Sequence, residues 1–170
     1  EIVDELGADA LRLTMAMLSG TRDIKLSKQR IEGYRNFGTK LWNAARFSLI
    51  NLEGYGMQDA GGRDKPSTSH PASSNLHPAS FLLEDRWLLS RLATVTQEVT
   101  AAREKFRFAD AARSRYDFAW NEFCSFYVEM TKARFHVDEF LRNSESRFGE
   151  TRLRDRQSAQ RVLAYALDVL

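Results

Sequence analysis

The stretch YRNFGTKLWNAARF, residues 34–47, sets a tyrosine, a tryptophan and two phenylalanines among two arginines, a lysine and two asparagines. At 100° per residue, Phe37, Leu41, Ala45, Ser48 and Leu52 fall within about 60° of Tyr34, which makes a stripe fit for a core. Asn36, Lys40, Asn43 and Phe47 follow a 4-3-4 spacing and line up on the opposite side. Arg35, Trp42 and Arg46 form a third row about a quarter turn from the core. The period is helical, so this segment predicts an α-helix from about residue 28 to 52, opened by Ser27 and closed before Gly54. Trp42 is expected to bury at the edge of the core, with Arg35 and Arg46 either ion-paired or free to bind. Phe47, opposite its own core stripe, is expected to stand exposed until it meets another helix, another domain or a ligand.

The same periodicity runs outward from this helix. A first helix is expected over 1–19, on Ile2, Leu6, Ala10, Leu13 and Met17, with Gly20 as its stop. Others are expected over 84–103, 108–139 and 150–170. Strand-like alternation is missing, and so is any repeat of 20–50 residues. The predicted fold is all-α, an antiparallel bundle of about five helices forming one domain over 1–170. All three prolines, four of the nine glycines and two of the three histidines crowd into residues 54–80. That stretch carries no hydrophobic period and reads as a flexible insertion, with His70 and His77 in solvated loop.

Charge is informative by its distribution. The net charge of +2 is too small to define a basic protein. Residues 20–52, however, carry Arg22, Lys25, Lys28, Arg30, Arg35, Lys40 and Arg46 against Asp23 and Glu32 alone. A local basic patch beside asparagines and an unpartnered aromatic ring suits RNA: lysine neutralises phosphate, asparagine reads base edges, and a flat ring stacks on a base. By residue type alone, a protein-docking surface through Trp42 and Phe47 fits as well. The single cysteine, Cys124, excludes an internal disulfide and fits a reducing compartment. No apolar run approaches the roughly 18 residues of a membrane span.

YDFAWNEFCSFYVEM, residues 116–130, superficially offers catalytic chemistry. Its apolar face is expected to be Tyr116, Ala119, Trp120, Phe123, Tyr127 and Met130, with Trp120 as the core anchor. Glu122 and Glu129 then share the other side, solvated or paired to cations. Cys124 has no neighbouring histidine to activate it, so a nucleophile is not expected. Arg12 follows Asp9 by three residues and is expected to pair with it.

GADALRLTMAMLSGTRDIKLSKQRIEGYRNFGTKLWNAARF, residues 7–47, resembles the segment that follows the catalytic domain in valyl-tRNA synthetases. DRWLLSRL, residues 85–92, and FRFADAARSRYDFAWNEFCSFYVEMTKARF, residues 106–135, are similar to the same family's later helices. WNEFC favours the valine form over the equivalent domain of an isoleucyl- or leucyl-tRNA synthetase. The resemblance implies an anticodon-binding helical bundle that grips the anticodon arm of valine tRNA and positions it for ATP-dependent aminoacylation. By motif position it assigns tRNA contacts to Lys40, Arg46 and Phe47 and, more loosely, Arg30; Asn36 and Asn43 join them from the helical face. It implies ATP and Mg²⁺ in the parent enzyme, no cofactor or metal in this segment, a monomeric cytoplasmic protein, and a catalytic domain in the same chain. The His-Ile-Gly-His and Lys-Met-Ser-Lys-Ser types of signature and the editing domain are missing, so no catalysis is expected from this segment alone. Both ends open in helix-like sequence, and a fragment excised from a longer protein is expected. The 54–80 insertion departs from the family, whose loop there is shorter. The arginines between 142 and 161 suit a tRNA-facing surface or a solvated helix.

Overall fold

A computed structural model of the chain describes residues 2–20, 26–52, 81–135 and 147–170, with side chains described from residue 151 in the last stretch. Among the described residues every regular element is helical: α1 (Ile2–Leu6), α2 (Ala8–Leu18), α3 (Lys28–Asn51), α4 (Leu83–Glu104), α5 (Phe108–Asp117), a run of wide π turns (Phe118–Tyr127), α6 (Val128–Phe135) and α7 (Arg147–Val169). The expected all-α bundle is present. α5, the π turns and α6 continue one another as a single rod. The 54–80 insertion and the expected end of the fourth helix at 139 lie outside the described residues.

Two interruptions depart from the sequence pattern, each for a local reason. The single helix expected over 1–19 is two, because Gly7 adopts φ 90° between α1 and α2. Only a residue without Cβ enters that region freely. At the other end of α2, Gly20 at φ 96° provides the expected stop. Ser27 caps α3 as expected, its Oγ accepting from the Arg30 N–H at 3.3 Å.

The second interruption is the π segment, where each turn closes five residues back rather than four. An apolar face drawn at the α period is therefore wrong there. Phe118, Phe123 and Tyr127 are fully buried, whereas Trp120 is only half-buried and Met130 is 40% exposed. Trp120 is not the core anchor; its ring stacks on Tyr116, centroids 6.0 Å apart, at the surface of the rod.

The main core gathers Ala44 of α3, Leu88, Leu92 and Val95 of α4, the three buried aromatics of the rod, and Val162, Leu163 and Ala166 of α7. A smaller cluster of Leu6, Ala10 and Ile31 joins α1 and α2 to α3. On α3 the buried stripe is Ile31, Phe37, Ala44 and Ser48, while Tyr34, Leu41, Ala45 and Leu52 are half-buried. The stripe is rotated toward the rod, and this reverses two expectations. Trp42 is 70% exposed rather than at the core's edge, since the rotation carries its row out to solvent. Phe47 is carried inward, half-buried against the core, its ring edge-to-face with Phe135 at 6.0 Å.

These placements order the cost of truncation. Phe123→Ala should lose about 3–5 kcal/mol as a fully buried aromatic. Trp42→Ala should stay within about 0.5 kcal/mol, with Phe47→Ala and Trp120→Ala between them. Urea midpoints for the four variants check the order, and a large loss for Trp42 would contradict it.

Candidate nucleic-acid interface

Because the rod faces α3 across small residues, Ala44 on one side and Cys124 and Val128 on the other, the two helices leave an open groove of about 420 Å³. Asn36, Lys40, Asn43 and Phe47 form its α3 wall, and Glu129 and Lys132 of α6 stand opposite. The 4-3-4 row read from the sequence is thus one wall of one groove. Two of the six expected site residues are not brought there. Arg46 is exposed on α3 outside the groove lining, and Arg30 is exposed in the first turn of α3.

The groove contains two cations in different circumstances. Lys132 pairs with both Glu129 carboxylate oxygens at 2.7 Å and lies 6.0 Å from the Phe47 ring centroid. Lys40 donates to the Ser125 hydroxyl and sits 4.0 Å above the Trp120 ring, with no carboxylate partner among the described residues. Phe47 offers the groove only the part of its ring that Phe135 and the core leave uncovered. At the floor, burial pushes the Cys124 thiol up, with Lys40 pulling it partly back. A buried thiol held above its usual range has little of the thiolate that nucleophilic attack needs. Glu122 is held by Arg91 through two hydrogen bonds of 2.8 Å, and Arg12 meets Asp9 at 3.3 Å, both as expected. Among the described residues no group of histidine, cysteine and carboxylate side chains is arranged to hold a metal, and no helix is long and apolar enough to cross a membrane.

The α6 wall is fastened from behind by a buried carboxylate. Asp85, three residues after Leu82, accepts from the Leu82 N–H at 3.2 Å in the first turn of α4. Its oxygens also accept from the Tyr127 hydroxyl at 2.7 Å and from the Arg134 guanidinium at 2.9 and 3.0 Å. Arg134 reaches on to Glu84. Burial first, then the Asp85 carboxylate, keeps the Tyr127 hydroxyl protonated far above its usual range. Burial pushes Glu84 up, but the backbone hydrogen bond at the start of α4 and Arg134 outweigh it and leave Glu84 below 4.5. Sequence reasoning missed this network, together with Lys132 as a groove residue and Ser125 as the partner of Lys40. Asp85 at the third position of a helix was a visible signal, whereas its partners Tyr127 and Arg134 lie more than forty residues away.

The model of the anticodon-binding domain of tRNA ligases matches residues 85–170, beginning at that buried aspartate and covering α4, the rod and α7. The chain belongs to this anticodon-binding domain family. It is similar to the valine–tRNA ligase of Geobacter sulfurreducens, 41% identical over 148 residues, which are 86% of this chain and 15% of that protein. The valine–tRNA ligase of Agrobacterium fabrum is 44% identical over 147 residues, 86% of this chain and 14% of that protein. That of Rhodopirellula baltica is 46% identical over 142 residues, 84% of this chain and 11% of that protein. The chain therefore spans well under a fifth of the length of these relatives. No solved structure matches it.

Glu84 gives this anticodon-binding domain a testable acid dependence. A carboxyl more acidic in the folded than in the unfolded state stabilises the fold above its unfolded pKa, and that stability is lost as pH falls through the folded value. Unfolding free energy should hold near neutrality and decline below the ordinary carboxylate value of 4.5, with Glu84→Gln making the decline shallower. Asp85→Asn should cost about 3 kcal/mol or more, because it removes the buried one of Arg134's two carboxylate partners and leaves only Glu84 to balance the charge. Urea titrations at several pH values measure both effects.

Proposed function

We propose that this chain is the tRNA-binding module of a valine–tRNA ligase, and that the groove between α3 and α6 receives the anticodon arm of valine tRNA. The observation that carries the reading is the convergence of Asn36, Lys40, Asn43 and Phe47 with Lys132 in one open groove, in a chain of the anticodon-binding family. Each residue has chemistry for a single-stranded loop. Lysines meet phosphates, asparagines pair with base edges, and the free part of the Phe47 ring stacks on a base. Arg46 approaches from the exposed side of α3, and Arg30 meets backbone farther along the arm. The reading supplies the rest of the molecule as well: a catalytic domain using ATP and Mg²⁺ in the same longer chain, acting as a monomer in the cytoplasm.

One observation favours a second reading, a docking face for protein: Trp42, Leu49 and Ile50 are all exposed on α3. Aminoacylation kinetics in the full-length ligase separate the two, using Lys40→Ala, Arg46→Ala and Phe47→Leu with native and anticodon-mutated valine tRNA. Leucine at 47 preserves the packing against Phe135 while removing the ring. Loss of a stacked base is worth about 1–3 kcal/mol, so charging efficiency should fall roughly tenfold to a hundredfold. ATP–pyrophosphate exchange with valine should barely move. Lys40→Ala should weaken native and mutated tRNAs alike, while the Arg46 and Phe47 variants should narrow the gap between them. Normal charging by the Arg46 and Phe47 variants would sink the anticodon assignment.

A further inference from the structure

The Lys40 ammonium meets two groups that no expectation joined. It donates to Ser125 Oγ and lies 4.0 Å above the Trp120 ring. Ser125 Oγ in turn donates to the Trp120 carbonyl at 2.7 Å, five residues back. On an α-helix, residues five apart point about 140° away from each other. The π turns bring these two onto one side of the rod, where they form a shelf opposite α3. Trp120 is itself held by stacking on Tyr116 and by Phe37, whose ring centroid is 6.1 Å away. The shelf is therefore firm, and the cation on it is long and flexible by nature.

We propose that Ser125 and Trp120 are positioning residues that hold the Lys40 ammonium at the groove for a phosphate oxygen of the bound RNA. The inference rests on the reading of the groove as a tRNA interface. An ammonium has three N–H donors. One goes to Ser125 and the indole face attracts the charge, which leaves a donor for a phosphate. Neither the hydroxyl nor the ring cancels that charge, whereas Glu129 largely neutralises Lys132 across the groove. A lysine already confined loses less side-chain freedom when its anion arrives, so the shelf strengthens binding without touching RNA.

The test is binding of the chain to an anticodon stem-loop RNA bearing a valine anticodon, followed by fluorescence anisotropy over a range of salt concentrations. Lys40→Ala should weaken binding and lower the salt slope by about one charge. Ser125→Ala and Trp120→Leu should each weaken it roughly two- to fivefold, the scale of an exposed cation–π contact, with the wild-type salt slope retained. Trp120→Phe, which keeps a ring under the ammonium, should recover part of the loss. Combined with Lys40→Ala, neither Ser125→Ala nor Trp120→Leu should have any further effect. Equal losses with and without Lys40 would overturn the proposal, since the two residues would then act through the fold or by direct contact. Unchanged binding by both variants beside a weakened Lys40→Ala would also overturn it, and would leave the groove reading standing. Wild-type binding and slope for Lys40→Ala would remove the groove reading, and this inference with it.

Discussion

A carboxylate taken wholly out of water has to be paired, and Asp85 is paired from three directions at once. The Leu82 N–H comes from its own helix start, the Tyr127 hydroxyl from the end of the π turns, and the Arg134 guanidinium from α6. A buried ion pair contributes little net stability over apolar packing, yet losing one partner is expensive. Its effect is therefore geometric: alternative docking angles of the rod on α4 leave a charge unsatisfied. Once α4 and α6 are tied at this point, Glu129, Lys132 and Phe135 stand opposite α3 and the groove has its second wall.

The helical class, the Ser27 cap, the Gly20 stop and the 4-3-4 row of α3 were legible because each depends on neighbours within a turn or two. Phe47 and Trp42 show where that information ends. The wheel placed both correctly around the helix axis, but which sector is covered depends on where the rod lies, and α3 alone does not determine that. Trp120 failed differently. Its face was drawn with the wrong period, since ten residues of π turns look like α-helix in composition. The resemblance to the synthetase family named Lys40 and Phe47 without help from either argument, and the fold then put both in one groove. It named Arg46 too, which the fold leaves outside.

Half-burial changes what Phe47 can do. A freely exposed ring offers two faces and adapts to its partner, at the cost of ordering itself on contact. A ring held by Phe135 and the core offers a fixed remainder of its surface. The groove pairs that stiff element with a lysine on a shelf and a second lysine tied to a carboxylate, so most of its chemistry is in position before any ligand enters.

The π turns also make the rod intolerant of changes in length. With the wide turns kept, removing a single residue between 118 and 127 would turn everything after it by roughly 80° about the helix axis, because a π turn holds more than four residues. Lys132 and Glu129 would swing out of the groove, and Arg134 would leave Asp85. Substitutions in this stretch act one side chain at a time, whereas a one-residue deletion would dismantle the groove wall and its fastening together. The stretch therefore has a count that matters as much as its composition, and related chains that keep this groove are expected to keep that spacing even where the residues between differ.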